Sequence, residues 1–200
     1  STLHHMVSAL RKAPAERVTY VPLVGGMGRL RMELHANSLA EKMSRLGDGT
    51  FIPLHAPARV SSTLVRDELM KEESVQDAAK LMNRIDVALV GIGYPNEHSA
   101  IKATGYYKEN EIESLISRKA AGELCMQFYD MEGRTEPYVS DNAVIGMDIQ
   151  RLRKVPCSVG IAGGREKLAA IQGAINGKYI NVLITDTKCA RALLSDEEEE

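Results

Sequence analysis

Apolar runs alternate along the chain with segments in which apolar residues recur at helical spacing. The apolar runs predict strands, and they lie at 17–24, 50–54, 86–92, 123–129, 142–146, 156–162 and 180–185. The helical spacing predicts helices or helical turns at 2–12, 32–46, 61–71, 74–84, 109–120, 147–154, 165–176 and 187–194. Strands and helices that alternate in this way favour an α/β fold with a mainly parallel sheet.

Local signals support several of these boundaries. Asn176-Gly177 is a typical helix stop, and Asp186 has the side chain of an N-cap for the last helix. Asp130 and Gly133 favour a turn after the strand at 123–129. The glycine-rich turns follow predicted strands, and ligands of parallel α/β folds bind at the carboxyl ends of strands.

Composition adds the size and the charge of the expected domain. Apolar residues make up 44% of the 200 residues and aromatic residues 4%, with no Trp, so aliphatic side chains must fill the core. Twenty-five basic against 27 acidic residues give a net charge of −2, which argues against a self-sufficient DNA-binding domain. We expect a linker or helix remnant over 1–16, one domain over 17–194 and a solvated acidic tail over 195–200.

Cysteine usage and hydropathy indicate a reducing, aqueous compartment. Cys125, Cys157 and Cys189 are odd in number and far apart, which favours buried free thiols over disulfides. No signal peptide and no apolar stretch of membrane-spanning length is evident, so a cytoplasmic location is expected. His4 and His5 have no neighbouring Cys or carboxylate partners, and neither a metal nor a cofactor is expected.

A first glycine-rich turn follows the strand at 17–24. It contains Gly25, Gly26 and Gly28, with Arg29 beside them. Glycine lets backbone N–H groups approach an anion closely, and the arginine adds positive charge, so the turn would cradle a phosphate. A tight strand-to-helix turn that needs positive φ explains the same residues without a ligand. The spacing matches neither the dinucleotide-binding fingerprint nor the phosphate loop of nucleotide hydrolases.

A second turn, at the end of the strand at 156–162, has Gly163 and Gly164 followed by Lys167. Lys167 lies in the first turn of the predicted helix, where a cation opposes the helix dipole unless an anion is near. The lysine would contact a phosphate or polarise a sugar oxygen; the alternative is a solvated helix lysine. Two such turns predict a cleft for a small phosphorylated ligand.

Four further residues would line the same cleft. Gly91 and Gly93 end the strand at 86–92 and allow close approach of a ligand, or else form a tight turn. Ala56 and Pro57 follow the second predicted strand and form either a pocket wall or a plain loop.

Glu123 introduces a carboxylate at the start of an apolar strand. It would accept hydrogen bonds from sugar hydroxyls, or else it is a surface charge at a strand edge. With Lys167 it would also form an acid and base pair, so an enzyme stays an open alternative.

The motifs, taken in order, resemble the effector-binding domain of SorC-type bacterial transcription regulators. They are GGMGR at 25–29, NSLA at 37–40, LHAP at 54–57, DVALVGIG at 86–93, AGE at 121–123, FYDMEG at 128–133, AGGREK at 162–167, AIQGAING at 170–177 and NVLITD at 181–186. Each motif alone is weak, whereas the ordered set is specific and spans about 18–194.

The resemblance implies an α/β fold with a Rossmann-like, mainly parallel sheet and a small subdomain, similar to ribose-5-phosphate isomerase and glucosamine-6-phosphate deaminase. It implies a sensor of a phosphorylated sugar rather than an enzyme, a homo-oligomer (dimer or tetramer), and action on operator DNA through an N-terminal helix-turn-helix absent from these residues. The family pocket maps onto Gly25, Gly26, Gly28, Arg29, Ala56, Pro57, Gly91, Gly93, Glu123, Gly163, Gly164 and Lys167.

Two other classes of function stay open beside the sensor. The first is a sugar-phosphate isomerase or deaminase on the same fold, which turnover of pentose or hexosamine phosphates would reveal. The second is a structural oligomerisation module, which predicts no ligand-dependent stabilisation. The segments 94–108 and 131–141 lack strong periodicity and are candidate lids or oligomer contacts.

Overall fold

The computed structural model describes residues 2–12, 17–26, 28, 31–96, 102, 104–141 and 143–195. The helices are α1 (Thr2–Ala9), α2 (Ala36–Leu46), α3 (Thr63–Leu69), α4 (Glu73–Met82), α5 (Glu109–Ser117), α6 (Leu168–Asn176) and α7 (Thr187–Ser195). The strands are β1 (Thr19–Tyr20), β2 (Thr50–Phe51), β3 (Val87–Gly91), β4 (Gly122–Leu124), β5 (Gln127–Tyr129), β6 (Cys157–Ile161) and β7 (Val182–Ile184). Short 3₁₀ helices cover Met32–Leu34, Glu136–Asp141, Ile149–Lys154 and Arg165–Lys167.

Three parallel strands form the main sheet in the order β3-β6-β7. Leu89 pairs with Val159, and Val159 pairs in turn with Val182. Because the carboxyl ends of parallel strands lie at one edge, the residues that follow β3, β6 and β7 meet there. β1 and β2 form a separate parallel pair. The sheet and its helices confirm the predicted α/β class.

The described core contains a large apolar cluster around the main sheet, a smaller one beside it and a third between α1 and α2. The large cluster joins α4, β3 and α6 through residues such as Ala78, Val90 and Ile171. The smaller cluster contains Tyr107 and Phe128, whose rings meet edge to face at 5.5 Å. We call the part of the chain around this smaller cluster, which includes α5 and β5, the small subdomain.

The segment predicted as one strand over 123–129 is a hairpin, so that prediction is wrong. β4 and β5 pair antiparallel, with Leu124 opposite Gln127. Cys125 and Met126 form the turn with φ of 51° and 62°, the positive values that a type I′ hairpin turn needs at both positions. Both residues are apolar, so their side chains gave no sign of the turn.

Other elements are shorter than predicted or interrupted. Backbone pairing along 17–24 is limited to β1 and an isolated bridge from Val24 to Gly146. His35, with extended backbone at φ −70° and ψ 143°, divides the helix at 32–46 into a 3₁₀ turn and α2. The predicted break between the next two helices lies at 70–72 instead of 73–74.

The first helix shares a core with α2. Val7 is buried on α1 against Leu39 and Met43. The predicted helix at the start of the chain is confirmed over Thr2–Ala9. Its apolar face is covered because α2 and β3 pack against it.

Several predictions fall on residues outside the described part of the chain. These include Arg29 of the first glycine turn, 13–16 of the expected linker, and 196–200 of the expected acidic tail. Among the described residues, Cys125, Cys157 and Cys189 are free thiols. None of the described helices has the length and apolar character that crossing a bilayer requires.

Candidate functional site

Glu123 and Gly93 lie side by side at the carboxyl end of β3. Gly93 donates its N–H to the Glu123 carbonyl at 3.1 Å, and Glu123 donates its N–H to the Gly93 carbonyl at 2.9 Å. The Glu123 side chain fills the space that a β-carbon on Gly93 would need. Glycine is therefore required at 93 for the carboxylate to lie where it does.

Lys167 reaches the same strand end from the other side. It closes the 3₁₀ turn Arg165–Lys167, and its Nζ donates to the Ile92 carbonyl at 2.9 Å. The carbonyl belongs to the residue immediately before Gly93. The sheet thus brings Glu123, Gly93 and Lys167 together, and these three residues were each predicted for the site.

Burial raises the pKa of the Glu123 carboxyl from 4.5 to about 7. The Met126 N–H, which donates to Oε2 at 2.9 Å, and the Lys167 ammonium both act in the opposite direction. A carboxyl with such a pKa can donate or accept a hydrogen bond near neutral pH. Burial and the Glu123 charge raise the pKa of the neighbouring Cys125 thiol to about 12, so that thiol stays protonated.

The second glycine turn is held by Asp186. Asp186 Oδ2 accepts the Gly164 N–H at 2.8 Å, and Oδ1 accepts the Cys189 N–H at 2.9 Å as the predicted N-cap of α7. Gly164 has φ of +103°, a value that residues with a side chain rarely adopt. The Glu166 carboxylate folds back over Gly164.

Part of this turn presents unpaired donors. The N–H groups of Gly164 and Lys167 have acceptors. Within the described ranges, those of Gly163, Arg165 and Glu166 have none. Unpaired N–H groups at a glycine turn that leads into a helix favour an anion.

The first glycine turn is paired with the residues after β2. Gly26 donates its N–H to the Ala56 carbonyl at 2.8 Å, and Gly26 bridges to Pro57. Gly25 donates to the Ile145 carbonyl at 3.0 Å, and a β-carbon on Gly25 would lie 2.5 Å from the Ala56 oxygen. The fold brings these four predicted residues together, but the N–H groups of Gly25 and Gly26 point at carbonyls.

Gly28 and Gly91 lie in different surroundings. Gly28 has φ of +54° and packs under Thr104, whose carbonyl oxygen would be 2.6 Å from an added β-carbon. Gly91 lies in β3 and faces α1, where an added β-carbon would be 3.8 Å from Leu3 Cβ. Gly91 therefore lies at a helix contact rather than beside Glu123.

Sequence reasoning missed Tyr106 and Arg59, and it missed one of the two roles of Asp186. Tyr106 and Arg59 contact the first turn or the segment over it across long stretches of chain. Asp186 was predicted as a cap but also fixes the second turn. Only Asp186 had a local signal, because a cap is recognised from neighbouring residues.

The described surface also has two shallow clefts. One, of about 210 Å³, has Met70, Met82 and Met147 in its wall. The other, of about 300 Å³, lies between the second glycine turn and α7 and carries Arg165, Lys188 and Arg191. The basic cleft adds positive charge next to the second turn.

The arrangement defines a small-molecule binding domain of the α/β class. Its polar groups converge at the carboxyl edge of a parallel sheet, where such folds bind ligands. A lysine and a half-buried carboxyl lie at this edge, near N–H groups that have no acceptor among the described residues.

The family comparison specifies this class further. The Sugar-bind family model, a sugar-binding domain, matches residues 1–195. The chain belongs to this family, the sugar-binding domains of SorC-type transcriptional regulators, which confirms the resemblance that the ordered motifs indicated.

Named relatives are transcriptional regulators. The chain is 30% identical over 185 residues to the sorbitol operon regulator of Klebsiella pneumoniae, covering 92% of the chain and 59% of that protein. It is 27% identical over 201 residues to the deoxyribonucleoside regulator of Bacillus subtilis (strain 168), covering 98% and 62%. The chain thus spans about three fifths of these curated relatives.

A solved structure has the same fold. The crystal structure of the probable sor operon regulator from Shigella flexneri superposes with a TM-score of 0.88 at 30% identity. The match covers 97% of this chain and 77% of that chain.

Proposed function

We propose that this domain binds a phosphorylated sugar or polyol at the carboxyl edge of the main sheet. The observation that carries the proposal is the convergence of Glu123 and Lys167 on Ile92 and Gly93. In this proposal Glu123 orders a sugar hydroxyl, because its Oε2 is fixed by the Met126 N–H and the carboxyl can serve as donor or acceptor.

The phosphate binds at the second glycine turn in this proposal. Support comes from the N–H groups of Gly163, Arg165 and Glu166, which have no acceptor in the described ranges, and from the nearby Lys167 ammonium. Gly25 and Gly26 favour the phosphate less, because their N–H groups are paired with carbonyls. They form a wall of the site together with Gly28, Ala56 and Pro57.

The domain acts as a sensor within a longer regulator that binds operator DNA through a separate N-terminal part. The names of the relatives, an operon regulator and a nucleoside regulator, support this role. We infer binding without turnover, a homo-oligomeric assembly and a cytoplasmic location. The ligand would act by preferring one quaternary arrangement over the other.

Thermal unfolding against matched ligands tests the proposal. The panel is sorbitol, sorbitol 6-phosphate, 2-deoxyribose and 2-deoxyribose 5-phosphate. A ligand at 100 times its Kd adds about 2.7 kcal/mol, so a phosphorylated member should raise Tm while its parent does not. Failure of both phosphorylated compounds to stabilise the chain would overturn the proposal.

Two variants locate the phosphate. Lys167→Ala should abolish most of the stabilisation, because the ammonium beside Ile92 is lost. Lys80→Ala, on the exposed face of α4, is the matched control and should respond like the wild type. Equal stabilisation of both variants by the ligand would show that Lys167 does not contact the phosphate.

The raised pKa of Glu123 gives the enzyme alternative its one specific support, since proton transfer is most efficient with a pKa near the working pH. Product analysis after incubation with ribose 5-phosphate or glucosamine 6-phosphate separates the two functions. Binding with unchanged substrate supports the sensor, and steady product formation supports the enzyme.

A further inference from the structure

Tyr106 packs against the first glycine turn and is hydrogen-bonded to it. Its Oη donates to the Gly26 carbonyl at 2.8 Å across 80 residues of chain. Two residues further on, an added β-carbon on Gly28 would lie 2.6 Å from the Thr104 carbonyl oxygen and 3.1 Å from the Tyr106 ring. The segment 104–106 therefore covers the turn with no room for a side chain at 28.

Arg59 holds the backbone of the segment 104–106. Its Nη1 donates to the Tyr106 carbonyl at 2.6 Å, and its Nη2 donates to Glu111 Oε1 of α5 at 2.9 Å. The guanidinium also lies over the Tyr107 ring, 4.2 Å from its centroid. One cation thus connects the segment over the turn to α5.

The contacts of Tyr106 and those of Arg59 are connected through Gly26. Arg59 follows Ala58, whose N–H donates to the Gly26 carbonyl at 2.8 Å. The Gly26 carbonyl therefore accepts from both Ala58 and Tyr106. Because Ala58 alone would satisfy that carbonyl, the Tyr106 hydroxyl is not needed to avoid an unpaired buried group.

We propose that Tyr106 is a positioning residue of the sugar site, whose hydroxyl sets the place of the first glycine turn and couples the turn to α5. The coupling to a ligand rests on the proposed function. The positioning of the turn does not, since it follows from contacts that exist without a ligand. A ligand that moves the turn must move the Gly26 carbonyl, and the link through Tyr106 and Arg59 transmits that movement to Glu111.

Hydrogen exchange of the ligand-free chain tests the positioning. Tyr106→Phe keeps the ring and removes only the hydroxyl, so the fold is expected to persist. Peptides covering 104–117 and 22–26 should exchange about five times faster, as expected for local loss of one hydrogen bond. Unchanged exchange in these peptides would overturn the proposal.

Tyr138→Phe is the matched control. Its hydroxyl also donates to a backbone carbonyl, that of Arg118 at 2.9 Å, but away from the glycine turn. The control should speed exchange near 118 and 136–141 and leave 22–26 unchanged. Faster exchange of 22–26 in both variants would indicate general loosening of the small subdomain and would overturn a specific role for Tyr106.

The coupling is tested with 2-deoxyribose 5-phosphate and sorbitol 6-phosphate. In the wild type, a bound sugar phosphate should slow exchange across α5, and in Tyr106→Phe this protection should be lost while binding persists. Protection of α5 that is equal in both proteins would overturn the coupling. If neither compound binds the wild type, the proposed binding of these sugar phosphates is wrong. The exchange rates of the ligand-free proteins then still decide whether Tyr106 positions the turn.

Discussion

The side chain of Glu123 fills the space above Gly93 that a β-carbon would need, and the two residues exchange both of their backbone hydrogen bonds. The fold holds a carboxyl in this place although burial raises its pKa to about 7. A perturbed carboxyl beside a lysine at a strand end is a pattern of functional sites. The Glu123 and Gly93 contact is therefore the best place to test the sugar site.

Gly93→Ala should weaken ligand binding, because the new β-carbon displaces the Glu123 side chain. We expect a loss of at least about tenfold in affinity, which corresponds to roughly 1.4 kcal/mol, measured by thermal titration with the stabilising sugar phosphate. Gly91→Ala is the control, since its β-carbon would lie at an ordinary 3.8 Å from Leu3. Wild-type affinity in Gly93→Ala would mean that Glu123 does not contact the ligand.

Glu123→Gln should change how stability depends on pH. The folded-state pKa of about 7 lies above the ordinary 4.5, so between these values the native state keeps a proton that the unfolded state has released. The contribution of Glu123 to the free energy of unfolding is therefore full below pH 4.5 and is lost as the pH rises through 7.

The glutamine side chain of this variant does not titrate, so the stability of the variant relative to the wild type should increase as the pH rises. At about 1.4 kcal/mol per pKa unit, the relative gain between acid and mildly alkaline solution is at most roughly 3 kcal/mol. Denaturant unfolding at about pH 5 and about pH 8 measures it. A stability difference that stays constant between the two conditions contradicts the raised pKa.

Arg59→Met should destabilise the small subdomain. The variant loses the ion pair to Glu111, the hydrogen bond to the Tyr106 carbonyl and the contact with the Tyr107 ring. We expect a loss of about 2 kcal/mol in the free energy of unfolding. Arg45→Met removes an exposed pair with Glu41 and should cost about 0.3–0.5 kcal/mol. Equal losses in the two variants would show that the Arg59 contacts add nothing beyond a surface pair.

Asp186→Ala should lower Tm, since the N–H groups of Gly164 and Cys189 lose their acceptor. Those N–H groups lower the pKa of Asp186 below 3.8. The stabilisation is therefore present above pH 3.8 and is lost as the pH falls through the folded-state pKa. Acid unfolding monitored by circular dichroism should show a smaller pH dependence in the variant. Asp77→Ala, at an exposed position on α4, is the control and should keep the wild-type profile.

Local patterns predicted the parts of the fold that depend on neighbouring residues. The α/β alternation, the helix stop after Asn176 and the Asp186 cap are confirmed. The hairpin of β4 and β5 was missed, because Cys125 and Met126 adopt positive φ without a residue type that announces it. In that segment tertiary packing overrides local preference.

The candidate site was predicted as a set of residues but not as an arrangement. Glu123, Gly93 and Lys167 meet because β3 and β6 are parallel neighbours and β4 bridges to the end of β3. Gly91 was predicted for the same cleft, yet it faces Leu3 of α1. Successive residues of a strand point to opposite faces, and the sequence pattern alone did not say which face α1 covers.

The order of the amino acids was enough to predict the class of fold, the family and the glycine turn that follows β6, because each depends on neighbouring residues or on the order of motifs. Tertiary packing set which turn has its N–H groups bound to carbonyls and which has N–H groups with no acceptor among the described residues. It also decided that Tyr106 reaches Gly26 across 80 residues. Such contacts depend on how distant segments pack, so the sequence around a hydrogen-bond donor does not identify its acceptor.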